Sequence, residues 1–245
     1  PYSIARRSSL LFVLLFLPIK TNKKSSWSNS RLDDDMPQKS VLLVDEYPLI
    51  LKSLQTMLGE VPDIHICGTA SDGETALSMV MKHRPQMMIL DVSLGKMHGI
   101  ELIKRVVQKD QSIRILVLSS LDDSLFAPRV LDAGALGYIN KRQSLSDIVD
   151  AIRMVMDGQV YLSPRMYQGR EETPDNVISI HKLSDRELEI FHLIGQGMTT
   201  SELAKRLELS VKTIETHKAN IKSKLHLKSG NELQVRAISW GLEQF

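Results

Sequence analysis

Met87-Met88-Ile89-Leu90-Asp91 is a run of four apolar residues stopped by an acid, and Val41-Leu42-Leu43-Val44-Asp45-Glu46 repeats the design. Runs so short and so uniformly apolar suit strands buried on both faces, as in a parallel sheet covered by helices. Working outward, residues 49–58 follow with helical spacing (Leu51, Leu54, Met57, Leu58) and stop at Gly59. The spacing predicts strands over 41–44, 64–67, 87–90, 113–118 and 136–139. It predicts helices over 49–58, 74–83, 99–108, about 124–132 and 146–157, the last ended by Gly158. Such alternation implies βαβ units. Right-handed crossovers then leave few arrangements for five strands, and the flavodoxin-like order 2-1-3-4-5 is expected.

Composition permits this. The chain has 245 residues, 42% hydrophobic and 24% charged, which excludes global disorder or a fibrous rod and gives room for two domains. Cys67 is the only cysteine, so an internal disulfide framework and a multi-cysteine zinc site are excluded, as a reducing cytoplasm would permit. The net charge of +2 averages unlike parts. Residues 41–158 carry twelve basic and fifteen acidic side chains, whereas residues 181–245 carry ten and eight.

Residues 1–39 stand apart from this pattern. Arg6 and Arg7 precede an apolar run over 10–17, which superficially has the layout of a signal peptide. The run is too short to span a bilayer, and no small-residue cleavage pattern follows it. Residues 1–39 are therefore expected to be a non-native or disordered extension, with the working protein starting at Met36 and no membrane attachment.

In an open parallel sheet ligands bind at the carboxyl ends of the strands. Asp45 and Glu46 end the first strand, Asp91 the third and Ser119 the fourth, and Lys141 lies just past the fifth. An acid after one strand is a common turn former. Three acids, a hydroxyl and an ammonium at the ends of four strands form one rim with the chemistry of phosphoryl transfer. Carboxylates with a backbone carbonyl suit Mg²⁺, a central carboxylate serves as nucleophile, and lysine and metal neutralise phosphoryl charge.

At these residues, over about 40–158, the chain resembles a response-regulator receiver domain. The resemblance implies that Asp91 is the phosphoacceptor and that Asp45, Glu46, Asp91 and the Ser93 backbone carbonyl hold Mg²⁺. It also implies that Ser119, Tyr138 and Lys141 form the switch. Two positions depart from the family pattern. Glu46 stands where a second aspartate is usual, which puts metal affinity in question. Gly95 replaces a proline in the loop after Asp91, which removes a fixed φ and is expected to loosen that loop.

Residues 159–182 break the alternation with Pro164, Gly169 and Pro174 and read as a linker, partly ordered near 160–166. From Leu183 the period is helical. Ser184-Asp185-Arg186-Glu187 is a capping box, and Leu188, Phe191 and Ile194 form one apolar face. Thr200 or Ser201 is expected to cap a helix over 202–207, Ser210 a third reaching about Leu225, and a fourth to run over 231–240. Within 211–228 five lysines face one glutamate, while Val211, Ile214, Ile221 and Leu225 form the inward stripe. A short helix, a turn and a basic helix is the helix-turn-helix arrangement, whose second helix meets base edges with its N-terminal half.

Over 183–245 the segments Leu183–Glu187, Gly195–Thr199 and Ser210-Val211-Lys212-Thr213-Ile214-Glu215-Thr216-His217 resemble the LuxR-type helix-turn-helix. The whole of 40–245 is thus similar to a NarL/FixJ-family response regulator. This resemblance implies base reading by Glu215, Thr216 and Ala219, with Lys212, Thr213, His217, Lys218 and Lys222 near phosphates. It further implies a cytoplasmic transcription factor, not an enzyme beyond its own phosphoryl transfer and dephosphorylation. Its partners would be a sensor histidine kinase, double-stranded promoter DNA and, when phosphorylated, a second copy of itself. Two other readings share the residues. A phosphatase on the same sheet would need an acid two residues after Asp91, where Ser93 stands. A receiver without phosphate chemistry, serving as a constitutive dimerisation module, would not need Asp91, Ser119 and Lys141.

Overall fold

The computed structural model describes residues 38–163 and 180–242. The expected N-terminal extension and most of the linker lie outside the described residues. The first part is a parallel sheet in the order β2-β1-β3-β4-β5-β6. Its strands are β1 (Lys39–Val44), β2 (Ile64–Ala70), β3 (Met87–Leu90), β4 (Arg114–Ser119), β5 (Gly137–Asn140) and β6 (Tyr161–Leu162). Five strands fall in the order expected, and the sixth corrects the count: Tyr161 and Leu162 pair in parallel with Gly137 and Tyr138. Two residues are too few to carry a periodic signal.

The helices between the strands are α1 (Pro48–Gly59), α2 (Gly73–His83), α3 (Gly99–Lys109), α4 (Asp123–Asp132) and α5 (Leu145–Met156). Their starts follow from local chemistry. Pro48 opens α1 with its φ already helical, and Asp72 accepts from Thr75 N at the start of α2. Ser144 and Asp147 form a capping box on α5. Leu51, Leu54 and Leu58 of α1 and Ile148, Ile152 and Val155 of α5 pack on one sheet face. On the other face α2, α3 and α4 bury Leu77, Ile103 and Phe126 among others. Both faces are thus covered, which is why the strands show no polar alternation.

The C-terminal part is helical: α6 (Asp185–Gly195), α7 (Thr200–Arg206), α8 (Val211–Lys224) and α9 (Gly230–Leu242). Ser184 with Glu187 closes the expected capping box of α6, and Ser210 caps α8. The cap of α7 is Thr199, neither Thr200 nor Ser201, because Glu202 then stands at the third helical position and completes a capping box. Ile214 and Ile221 are fully buried, but Val211 is 52% exposed and leaves the expected inward stripe. The apolar core of the α2–α4 face runs on into Leu183, Leu188, Phe191 and Leu203. Among the described residues no helix is long and apolar enough to cross a membrane.

Candidate functional site

The sheet brings the predicted strand-end residues to one rim. Asp91, directly after β3, is 5% exposed. Its Oδ1 accepts from Val92 N at 2.6 Å and from Ser119 Oγ at 2.5 Å, and Lys141 Nζ reaches its Oδ2 at 2.6 Å. The same ammonium holds Asp45 Oδ2 at 2.5 Å, so one lysine bridges carboxylates from β1 and β3. The Asp45 carboxyl is nonetheless raised to about 6, because burial outweighs Lys141. Gly99 allows the loop to close: a Cβ there would lie 2.6 Å from the Asp91 carbonyl oxygen. Tyr138 is fully buried, and its hydroxyl donates to the carbonyl of Leu121, two residues past Ser119, at 2.7 Å.

Three predicted ligand groups meet tests of chemistry for a divalent cation. Asp45 and Asp91 are close enough to share one positive group, and buried Glu46 Oε1 has no hydrogen-bond donor among the described residues. No three His, Cys, Asp or Glu side chains among the described residues form a ready-made cage. Mg²⁺ does not require one, since it keeps several waters and takes one or two carboxylates. The hydroxyl of Ser93, buried beside Asp91, favours the charged form of the Glu189 carboxyl on α6.

That contact belongs to a set that the sequence reading missed. Helices α6 and α7 lie along the rim of the acidic pocket. Arg186 Nη2 donates to the carbonyls of Gly95 at 2.7 Å and Lys96 at 2.8 Å. Gly95 has φ +63°, a conformation that proline cannot adopt, and its carbonyl accepts from Arg186. Arg186 Nη1 also pairs with Glu189 Oε2 at 2.8 Å, and Glu189 is fully buried. His98 Nε2 stands 3.6 Å from the same carboxylate. Burial lowers the His98 pKa and raises that of Glu189. Arg206 Nη2 lies 3.1 Å from Glu46 Oε1, and the Arg206 guanidinium also contacts the Tyr47 hydroxyl. The available signal was α6 itself: Leu188, Ile190, Phe191, Leu193 and Ile194 are all buried, more than one apolar stripe requires.

On α8, Lys212, Glu215, Thr216 and Ala219 are exposed, and Thr213, His217, Lys218 and Lys222 are half-buried. Lys218 Nζ donates to Glu215 Oε1 at 3.0 Å and Thr200 Oγ1 at 2.8 Å, and Thr200 Oγ1 bonds Glu215 at 3.0 Å. Glu215 is thus oriented by α7. His217 Nδ1 is buried with no hydrogen-bond partner, and burial lowers its pKa.

Two family models match the chain: the response regulator receiver domain over residues 41–153, and the bacterial regulatory proteins of the luxR family over 181–237. The chain is 34% identical over 200 residues to the Fimbriae Z protein of Salmonella typhimurium, covering 81% of this chain and 95% of that one. It is 33% identical over 202 residues to the transcriptional regulatory protein LiaR of Bacillus subtilis, covering 80% and 95%. Among solved structures, an RcsB response regulator from Salmonella typhimurium matches with a TM-score of 0.61 at 23% identity, covering 83% of this chain and 98% of that one. That last likeness is one of fold.

Proposed function

The chain belongs to the response regulators that join a receiver domain to a LuxR-type helix-turn-helix, and from that premise we propose that phosphorylation of Asp91 controls its dimerisation and its reading of promoter DNA. In this reading residues 40–158 receive the phosphoryl group, 159–182 connect, and 183–245 read DNA. The observation that carries it is the contact of one carboxylate, Asp91, with both a hydroxyl and an ammonium, Ser119 and Lys141.

The donor is a phosphohistidine of a sensor kinase. An Asp91 oxygen forms the new bond to phosphorus, the phosphorus–nitrogen bond breaks, and the imidazole takes up a proton as it leaves. Lys141 balances the negative charge on the acyl phosphate, and the Ser119 hydroxyl turns from the carboxylate to a phosphoryl oxygen. Mg²⁺, held by Asp45, Glu46, Asp91 and the Ser93 carbonyl, would supply electrostatic relief to the transferring group. The protein's own turnover is confined to gaining and losing this group. Tyr138 then follows Ser119 as the aromatic part of the switch.

In the helical part Glu215, Thr216 and Ala219 face base edges, while Lys212, Thr213, His217, Lys218 and Lys222 serve the phosphates. One such unit binds DNA mainly through salt-sensitive charge contacts. Two units in a phosphorylated dimer read half-sites about 10 base pairs apart, in the cytoplasm where the promoter lies.

Labelling with a small acyl phosphate, followed by titration of a palindromic promoter fragment, tests this. Label on the parent chain, none on Asp91→Asn, and tighter dimeric DNA binding only with label are expected. Equal DNA affinity and stoichiometry for both proteins would favour the constitutive module.

A further inference from the structure

Glu46 carries one methylene more than the usual aspartate, and its carboxylate faces the helical domain. Its counter-charge is Arg206, the last residue of α7. The Arg206 guanidinium lies over the Tyr47 ring, 5.3 Å from the centroid, and touches its hydroxyl. Two residues on, Glu208 approaches within 3.4 Å of the position a Cβ on Gly95 would occupy. The turn that leads into the DNA-reading helix therefore sits on the lip of the phosphoryl pocket.

Charge counting decides what this arrangement does. Asp45, Glu46 and Asp91 face Lys141 and Arg206, three potential negative charges against two positive. A divalent cation added to that set would leave the group of five side chains positive overall. That surplus bears on whichever resident cation is held less firmly. Lys141 is held by two carboxylates at 2.5 and 2.6 Å. Arg206 is held to Glu46 at 3.1 Å without hydrogen-bond geometry, and its Nε is buried with no partner. Arg206 is the weaker-held cation.

We propose that Arg206 is an internal substitute for the divalent cation: it and Mg²⁺ compete for Glu46, so that metal entry expels the α7 turn and loosens the helical domain from the receiver. This rests on the reading of Asp45, Glu46 and Asp91 as a metal pocket. It gives Glu46 a task that an aspartate, with its shorter reach, would perform poorly. It makes the coupling reciprocal, because whatever docking does to metal affinity, metal must do to docking by the same factor. It also separates two events usually treated as one. The metal prepares the domain joint before the phosphoryl group arrives.

The test uses the full chain and Mg²⁺ alone, with no phosphodonor. Calorimetric Mg²⁺ titrations of the parent, Arg206→Ala, Glu46→Gln and the double variant are compared at ionic strength matched with NaCl, since ion pairs are also screened by salt. Arg206→Ala should bind Mg²⁺ about 5-fold tighter or more, the lower end of ordinary coupling between sites. In the Glu46→Gln background the same substitution should change little. Hydrogen exchange over α7 should accelerate when Mg²⁺ is added to the parent, and should be fast without it in both single variants. Equal Mg²⁺ affinity in parent and Arg206→Ala, or α7 exchange indifferent to Mg²⁺, overturns the proposal while leaving the phosphoacceptor reading intact. Absence of Mg²⁺ binding in every protein overturns the metal pocket and this inference with it. Loss of acyl-phosphate labelling at Asp91 is a separate failure, read in a separate assay.

Discussion

Arg129 on α4 and Asp185, the first residue of α6, form an ion pair at 2.8 Å, and Arg129 also donates to the His181 carbonyl at 3.3 Å. Helix α4 follows the strand that ends in Ser119, so this pair ties the element just after the Ser119 hydroxyl to the entry of the helical domain. Both side chains are partly exposed, which limits the pair to about 1 kcal/mol or less. Arg129→Ala should therefore raise the DNA affinity of the unphosphorylated protein by up to about 5-fold. It should leave Asp91 labelling intact. Fluorescence anisotropy on a promoter fragment measures the first effect, and radiolabelling the second.

Gly95→Pro should disconnect the domains without disturbing the sheet. Proline holds φ near −65°, whereas Gly95 stands at +63° with its carbonyl on Arg186. The expected outcome is loss of protection from hydrogen exchange at the start of α6, with receiver strands β1 and β3 still protected.

Lys141→Ala removes the only side chain among the described residues that hydrogen-bonds both Asp45 and Asp91. Labelling of Asp91 should fall, and the label that remains should fail to tighten DNA binding. A labelled variant with a normal DNA response would show that the lysine acts on charge alone.

Glu187 caps α6 and accepts from Lys224 Nζ at 2.6 Å, across to the end of α8. The lysine and the cap hydrogen bonds hold its carboxyl below the ordinary glutamate value, against burial. A depressed acid stabilises the fold above its unfolded pKa, and the contribution is lost as pH falls through the folded one. Glu187→Gln should thus cost about 1 kcal/mol at pH 7, and the difference should fade below about pH 4. Denaturant melts at the two pH values compare them.

Thr216→Ala should change the ranking of promoter variants, since the side chain is exposed on the outer face of α8. Lys212→Ala, also exposed, should weaken all sequences alike and reduce the salt slope by about one. Lys218→Ala is expected to do both, because Lys218 also orients Glu215.

Most of the receiver was legible because buried parallel strands announce themselves as short apolar runs ended by polar residues. Asp91, Ser119 and Lys141 could be placed on one rim before any contact was known. What was not legible depended on distant partners. β2 runs on to Ala70 along the sheet edge, where half-exposed Gly68 and Thr69 show no clear pattern. Val211 looked like part of a stripe, yet as the first residue of α8 it stands half in solvent. Glu189 is fully buried, yet nothing local in the sequence shows that a second domain will cover it.

Glu189 Oε1 and His98 Nε2 are buried without hydrogen-bond partners among the described residues. Each such group costs about 1–3 kcal/mol, a cost that water relieves once the domains part. The joint is therefore weaker than full pairing of these groups would make it. A substitution at residue 98 that supplied the missing donor is expected to tighten the joint, and one that added negative charge beside Glu189 to weaken it. Residue 98 thus gives a handle on the strength of the joint that lies apart from the contacts of Asp91 with Ser119 and Lys141.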